Sequence, residues 1–334
     1  MEIRSLGFIE HGKYFRRIWT LLASAKTIRK KIGHQDYIYS FNLDMLFLAW
    51  FSTLFLKDRP KFVYDLLDIH PILYKKTVLS GLLRAFERFL VRKTNVVVVA
   101  SPFYIDGYFH ELQTLYSTSY HVIENKLNTF DLPQNEGNRD VLKKTDDFPM
   151  VLGFFGIIRC PRSLKFLYKF LETSNGKFHL YIRGMFLVPE QFKELILTSP
   201  FVEFGGSYLY PDELSEMYGK IDILWAAQQL GEAHTKLSRT NRFYQGCYFK
   251  KPMITQAGTK DDEIVAGSNL GLSIDLNQPE QSMELLRNID DVKRLDWQNN
   301  LNKVPKEVFL ITDEYQELIQ KLKTFSKKKN LILV

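Results

Sequence analysis

Short apolar runs alternate with longer stretches of helical periodicity along the first 130 residues,. The runs predict four strands, at residues 36–40, 61–65, 95–101 and 121–124,. The stretches between them predict helices at residues 45–56 and 77–93. Because the unbroken β-branched run NVVVVAS is typical of a parallel strand covered on both faces, this pattern favours an α/β architecture,.

The pattern restarts after a polar stretch at residues 130–148, whose Pro, Gly and Asn content predicts a domain linker,. The second half predicts strands at residues 150–155, 178–182, 202–204, 221–225 and 252–255,. It also predicts helices over residues 163–172 and 241–249 and from Asp212,. This alternation indicates a second doubly wound unit.

The length of 334 residues suits two domains, each large enough to bury its own core,. We expect a first domain at residues 1–135, a second at 148–312, and a closing helix at 313–334 that crosses back to the first domain. The longest apolar stretch, residues 45–56, is too short for a bilayer span of about 20 residues,. The N-terminal sequence does not resemble a secretory leader, and with two distant cysteines this favours a cytoplasmic location,.

The positive charge of the chain is concentrated in its first part. The net charge is +7, and residues 1–133 hold 18 Lys and Arg against 12 Asp and Glu. Within them, residues 13–31 alternate cations with apolar side chains at helical spacing, as a basic amphipathic helix does,. Such a helix binds an anionic membrane surface, here the inner face of the cell membrane, or is a solvated face over an ordinary core helix; the sequence leaves both open. A basic cluster near the C-terminus, Lys321 to Lys329, adds to this charge.

Three predicted strands of the second half end in glycine, at Gly156, at Gly184 and at the pair Gly205 and Gly206. Ligands of open parallel sheets bind at the carboxyl ends of the strands, where glycine lets backbone N–H groups approach a phosphate. Nearby cations are Arg159, Arg162, Lys165 and Arg183. The pattern therefore indicates a nucleotide diphosphate site, and the alternative is that these glycines only close tight turns.

Several segments of the second half resemble retaining glycosyltransferases of family 4, which have the GT-B fold of two Rossmann-like domains. The segments are VLGFFGIIRCPRSLKFL, LYIRG, VEFGGSYLYPDELSEMYGKIDILW and SRTNRFYQGCYFKKPMIT. The chain is most similar to bacterial capsular and exopolysaccharide glycosyltransferases, best from residue 150 to about residue 275. The first half resembles them more loosely, through VYDLLDIH, FERFLVRKTN, VVVVASPF and VIENKLN.

The resemblance implies a nucleotide-sugar donor, UDP- or GDP-linked, bound by the second domain without a metal or another cofactor. The implied donor-binding residues lie at the strand ends and on one helix: Gly156, Arg159, Arg162, Arg183, Gly184, Gly205, Gly206, Tyr208, Asn241, Arg242 and Gln245. Arg162 stands where the family usually has a lysine. Ile157 replaces the family arginine that follows the glycine, and Arg159 is the nearest substitute.

Two acidic positions of the family are changed in this chain. The glutamate that grips the ribose is Gln245 here, which leaves a ribose contact and a buried structural amide both open,. The acidic residue eight positions earlier is Leu237, and Glu232, five residues further upstream, is not a simple replacement.

The first domain would supply acceptor contacts and any base. Asp65, Asp68 and His70 follow a predicted strand, and we take Asp68 and His70 as catalytic candidates. A capping or turn role for Asp68 is the alternative. Leu67 stands where the family often has a histidine, and the usual opening strand and glycine-rich loop are not evident, so we expect a shortened first domain.

The resemblance implies sugar transfer with retention to a lipid-linked or saccharide acceptor, in capsule, exopolysaccharide or lipopolysaccharide biosynthesis. No Asp-x-Asp triplet of metal-dependent glycosyltransferases is present. The alternative is a catalytically degenerate partner subunit with the same fold. A nucleic-acid partner is not expected, because zinc-finger spacing, an RNA-binding sheet signature and a long basic tract are missing from the sequence,.

Overall fold

The computed structural model describes residues 23–30, 32, 37–130, 132, 149–229 and 231–325. Contacts divide the chain into two units. The described residues up to Glu124 and from Asp313 onward form the first unit, and those of Asn125–Thr312 form the second.

The first unit contains a four-stranded parallel sheet with strand order β1-β2-β3-β4. Its strands are β1 (Tyr37–Phe41), β2 (Lys61–Leu66), β3 (Val96–Val99) and β4 (Tyr120–Val122). Its helices are α1 (residues 23–30), α2 (Asn42–Thr53), α3 (Pro71–Tyr74), α4 (Val78–Val91) and α13 (Glu314–Phe325), with a π-helix at Ile105–His110.

The core of this unit forms where β-branched strands meet the last helix. All four valines of β3 are buried, as the unbroken apolar run predicted for a central parallel strand,. Leu318 and Leu322 of α13 pack against Val63, Val96 and Val98. The last described helix therefore completes the core of the first unit rather than that of the second.

The second unit contains a six-stranded parallel sheet with strand order β10-β9-β8-β5-β6-β7. Its strands are β5 (Met150–Ile158), β6 (Phe178–Phe186), β7 (Val202–Phe204), β8 (Ile223–Trp225), β9 (Met253–Gln256) and β10 (Gly271–Ile274). Its helices are α5 (Pro161–Glu172), α6 (Glu190–Leu197), α7 (Leu214–Gly219), α8 (Glu232–Leu237), α9 (Asn241–Tyr248), α10 (Lys260–Gly267), α11 (Pro279–Arg287) and α12 (Asp291–Leu301), with a 3-10 turn at Lys306–Val308.

Both faces of this sheet are covered by apolar side chains. Neighbouring residues of a strand point to opposite faces, and Phe154 and Phe155 accordingly enter two different core clusters,. Phe154 joins the cluster of Phe170 and Trp225, and Phe155 packs against Tyr218. This double covering is what the doubly wound pattern predicts.

Strands β5 and β6 extend beyond the ends predicted for them at residues 155 and 182. Gly156 and Gly184 lie inside the paired strands and face each other in register. A Cβ atom at Gly184 would lie 2.0 Å from the Gly156 carbonyl oxygen, so no side chain fits between these backbones. The prediction that the strands end at Gly156 and Gly184 is therefore wrong: both strands continue past these residues, and Gly184 permits close approach to the Gly156 backbone.

Parts of the predicted basic segments lie outside the described residues. Of the predicted helix at residues 13–31, residues 23–30 are described and form α1; the described cations Lys26, Arg29 and Lys30 are exposed. Most of the predicted linker and of the C-terminal cluster also lies outside the described part of the chain. Among the helices that the structure describes, none is both long and apolar enough to cross a membrane.

Candidate functional site

Three glycine segments adjoin near the carboxyl ends of strands β5, β6 and β7: Gly156 and Gly184 lie inside the last residues of β5 and β6, and Gly206 follows β7. Gly156 pairs with Gly184, and the Gly184 N–H donates to the Gly206 carbonyl at 2.8 Å. Gly156 has a φ of +92° and Gly184 a φ of +133°, a backbone conformation that other residues rarely adopt,. These three strand ends therefore form one continuous backbone surface.

The guanidinium of Arg242 lies behind this surface, at the start of helix α9. Arg242 is buried, and its Nε donates to the Phe155 carbonyl at 2.7 Å. Its Nη2 donates to the Ile157 carbonyl at 3.3 Å. With the Gln228 amide assigned so that its oxygen faces the guanidinium, that oxygen also accepts from both terminal nitrogens, at 3.1 Å from Nη2,. Helix α9 thus fixes a cation on the last residues of β5.

The hydrogen-bond partners of Arg242 carry no charge, although the buried carboxyl of Asp261 is close enough to interact with the guanidinium electrostatically. The three acceptors are carbonyl and amide oxygens, and no ion pair of Arg242 is found among the described side chains. Burial lowers the pKa of Arg242 to about 10, so the group stays charged at neutral pH,. A buried cation with neutral partners attracts an anion to any open side.

The open side of Arg242 is at Gly156. A Cβ atom on Gly156 would lie 3.7 Å from Arg242 Nη2 and 3.8 Å from the Tyr208 hydroxyl oxygen. The glycine therefore leaves room beside a cation and a phenol, within reach of hydrogen bonding. An anionic oxygen placed there would contact both groups, which is the chemistry of a phosphate site.

Arg183, another predicted donor-site cation, is already paired. It forms an ion pair with Glu213, and its Nη2 donates to the Ser207 carbonyl at 2.8 Å. Its Nε donates to the Gly206 carbonyl at 3.3 Å. Arg183 therefore holds the loop that carries Tyr208, and its charge is largely neutralised by Glu213.

The remaining predicted cations lie at the exposed end of β5. Arg162 donates to the side-chain oxygens of Gln229 and Asn277, so it links the start of α5 to two other loops. Arg159 is exposed, and its charge contributes to lowering the pKa of Arg242. Asn241 is the exposed first residue of α9. The structure thus brings Arg242, Gly156 and Tyr208 together and directs Arg162 elsewhere.

Gln245 is buried, and its Oε1 accepts from the Tyr218 hydroxyl at 2.7 Å. Leu237 is also buried, so an apolar side chain fills the other position where the family has an acid. The side chain of Glu232 lies outside the described part of the structure. Of the two roles considered for Gln245, a ribose contact and a buried structural amide, this hydrogen bond favours the second.

The predicted acceptor-side residues lie in the first unit, at the carboxyl end of β2. Asp65 is buried and accepts from the Tyr39 hydroxyl at 2.6 Å; burial raises the pKa of Asp65 to about 6. His70 caps helix α3, because its Nδ1 accepts from the Ile72 N–H at 3.3 Å. Asp68 is exposed. The cap of this helix is therefore His70 and not Asp68.

Two residues of these sites were not predicted from the sequence. Gln228 follows β8 by three residues, and its place after a strand of the sheet is the signal that could have found it,. Tyr39 lies on β1 opposite β2, and its pairing with Asp65 depends on strand register, which the sequence does not display.

No protein-family model matches the chain. In sequence, the chain is similar to the succinoglycan biosynthesis protein ExoL of Rhizobium meliloti. The two are 28% identical over 282 residues, which is 82% of this chain and 70% of that protein.

Solved structures share the fold at low sequence identity. Sucrose-phosphate synthase of Thermosynechococcus elongatus matches with a TM-score of 0.69 and 13% identity, over 96% of this chain and 81% of that one. Alr3699/HepE of Anabaena, solved in complex with UDP and glucose, matches with a TM-score of 0.68 and 14% identity, over 94% and 84%. With two parallel sheets in a Rossmann-like arrangement, these matches confirm the predicted α/β architecture: the chain has the GT-B glycosyltransferase fold.

Proposed function

We propose that this protein is a glycosyltransferase that moves a sugar from a nucleotide-sugar donor to a saccharide acceptor in exopolysaccharide biosynthesis. The observation that carries the proposal is the buried Arg242, whose hydrogen-bond partners are all neutral and whose open side is the space at Gly156. The similarity to a succinoglycan biosynthesis protein supports the choice of pathway.

In the proposed reaction the donor diphosphate lies over Gly156 and contacts Arg242 and Tyr208. Cleavage of the sugar–phosphate bond leaves negative charge on the diphosphate, and a fixed cation and backbone N–H groups stabilise that charge. We propose transfer with retention and without a metal, because the site cation supplies the charge that a metal would otherwise provide. A UDP-linked hexose is the first donor to test, since Alr3699/HepE was solved with UDP and glucose; a GDP-linked sugar is the second.

The first unit would bind the acceptor. We propose that the acceptor is lipid-linked and is reached at the inner face of the cell membrane, and that Asp68 and His70 contact its hydroxyl. Asp68 is exposed and free to accept a proton from a sugar hydroxyl, whereas Asp65 is bound to Tyr39,.

A donor panel tests the proposal. The purified chain is incubated with UDP-, GDP- and dTDP-linked hexoses, and release of the free nucleoside diphosphate is measured with and without crude lipid-linked saccharide. We expect release from one of the three donors and loss of release in Arg242→Gln. Arg294→Gln is the matched control, since Arg294 is equally buried but is paired with Asp291 on α12. No release and no binding with any donor would overturn the proposal.

A second candidate function is a degenerate partner subunit that retains the fold. It is favoured by Leu237 and by the Gln245 oxygen that Tyr218 occupies, because neither position offers a carboxylate to a ribose. Saturable binding of a nucleoside diphosphate without release from any sugar donor would support this candidate over the first.

A further inference from the structure

Helix α4 buries polar side chains and exposes apolar ones, the reverse of an ordinary core helix. Its buried face carries Ser80 and Glu87, together with Leu90 and Val91. Its exposed face is an apolar stripe over three turns: Val78, Leu79, Leu82, Phe86 and Phe89. Val78 is 84% exposed and Leu82 66% exposed. Single exposed apolar residues are ordinary on a protein surface, but a contiguous stripe marks an interaction site.

The buried contacts of Glu87 hold the helix in this orientation. The Glu87 carboxylate accepts from the Tyr64 hydroxyl at 2.7 Å, from Gln113 Nε2 at 2.5 Å and from the Tyr108 hydroxyl. Rotating α4 to bury its apolar stripe would break all three hydrogen bonds and leave their partners unsatisfied. The exposed stripe is therefore built into the fold of the first unit.

Rings of α2 support the stripe from the side. The Trp50 ring lies 5.3 Å from the Phe89 ring, and the Phe47 ring lies 5.6 Å from the Phe86 ring. These contacts fix the positions of Phe86 and Phe89 while leaving both partly exposed. The stripe is thus a preformed surface that needs little reordering to bind.

Cations flank the stripe at both of its ends. Lys75 and Lys76 precede the helix, Arg92 and Lys93 follow it, and all four are exposed. The segment from residue 75 to residue 93 contains one acid, Glu87, and it is buried. The exposed surface of this segment is therefore apolar along its middle and positive at its ends.

We propose that the α4 stripe docks on an anionic membrane surface, with its apolar side chains at the headgroup boundary and its flanking cations on lipid phosphates. This combination is what interfacial helices use. A second copy of the chain would bring like charges together at both ends of the stripe, which disfavours that occupant. The inference goes beyond the proposed function: it concerns the first unit, and it places the membrane contact on α4 rather than on the predicted helix at residues 13–31.

Vesicle co-sedimentation of the full chain tests the docking. The vesicles are phosphatidylcholine alone, or phosphatidylcholine mixed with phosphatidylglycerol. We expect binding to the anionic vesicles only, and a loss of about tenfold or more in Leu82→Glu, which places a charge in the apolar stripe. The double variant Lys75→Gln with Lys76→Gln should lose about fivefold per lysine. Val292→Glu is the matched control, because Val292 is 76% exposed on α12 of the second unit.

The other occupants give different results. Unchanged binding in Leu82→Glu, with loss in a variant carrying Lys13→Gln, Arg16→Gln and Arg17→Gln, would overturn the proposal in favour of the N-terminal segment. A wild-type dimer in light scattering that Leu82→Glu converts to monomer would overturn it in favour of a second copy. Titration with UDP is expected to be unchanged in Leu82→Glu, so a failed donor site and a failed membrane site are told apart.

Discussion

The carboxyl ends of the two parallel sheets carry opposite charges. In the second unit, the edge at Gly156 has a buried guanidinium with neutral partners. In the first unit, the corresponding edge has Asp65 bound to a phenol and Asp68 exposed beside it. The same sheet architecture thus presents an anion site in one unit and carboxylates in the other. Specificity resides in a few side chains at the strand ends, and the sheets themselves are common scaffolding.

The glycine edge of the second unit should be the more fragile of the two. Gly184→Ala is expected to unfold this unit, because the new Cβ would lie 2.0 Å from the Gly156 carbonyl oxygen and the φ is +133°. We expect a loss of about 4 kcal/mol or more in the free energy of unfolding, measured by denaturant titration. Gly206→Ala is the control: its φ is +73° but nothing lies within 4 Å, so about 1 kcal/mol is expected,. Equal stability of the two variants would contradict the packing account.

Arg242→Gln should lower UDP affinity by about 100-fold, since it removes a buried charge that the diphosphate would pair with. Calorimetry measures the affinity, and circular dichroism checks that the variant is folded. Gly156→Ala is a second route to the same result. Its φ of +92° should cost about 1 to 3 kcal/mol of stability,. The new Cβ would meet no atom closer than 3.7 Å, so we expect the variant to fold and to fill the space beside Arg242. Full UDP affinity in both variants would show that the anion binds elsewhere.

Substitution of the exposed carboxylate after β2 of the first unit should change the transfer rate and not donor binding. Asp68→Asn is expected to lower the transfer rate by about 100-fold with unchanged UDP affinity, because we propose that Asp68 takes the proton from the hydroxyl group of the acceptor sugar. Rates come from a transfer assay with the donor identified by the panel. A fall in UDP affinity together with the rate would contradict the division of roles between the two edges.

Two variants of His70 distinguish a capping role from a part in the reaction. His70→Asn retains a good capping side chain, whereas His70→Ala removes it at a cost of about 1 kcal/mol in stability. Because we propose that His70 also contacts the acceptor hydroxyl, His70→Asn is expected to keep the melting temperature and to slow transfer. An unchanged transfer rate in His70→Asn would show that His70 only caps α3.

The stability of the protein should also fall as the pH rises through the acid range. Burial raises the pKa of Asp65 and of Asp261 to about 6, above the usual value of 3.8. Both carboxyls bind a proton more tightly in the folded than in the unfolded protein. Their contribution to the free energy of unfolding is therefore greatest below pH 3.8 and is lost as the pH rises through about 6. The wild type should lose stability over this window relative to Asp65→Asn, by about 3 kcal/mol, in melting curves. The same change of melting temperature with pH in the wild type and in Asp65→Asn would contradict the raised pKa of Asp65.

Much of the fold could be predicted from the sequence, because apolar runs report burial directly. The run NVVVVAS became a fully buried central strand, and the double alternation became two parallel sheets. Strand ends were predicted less well, since β5 and β6 continue in register past Gly156 and Gly184, where the missing side chain of Gly184 permits close pairing.

The site was harder to predict because the partners of a side chain depend on the tertiary structure. Arg183 and Arg242 look alike in sequence, yet one is paired with Glu213 and the other with neutral oxygens only. The buried hydrogen bond between Gln245 and Tyr218 likewise joins residues 27 positions apart. Such pairings follow from helix placement on the sheet, which local sequence patterns do not encode.

The central claim is that Arg242 and Gly156 form a diphosphate site. Calorimetric titration of the wild-type chain with UDP, and separately with uridine, tests it most directly. A diphosphate site predicts saturable heat with UDP that is lost in Arg242→Gln, and no saturable heat with uridine. Absence of saturable heat with UDP, or equal affinity for uridine and UDP, would contradict the claim.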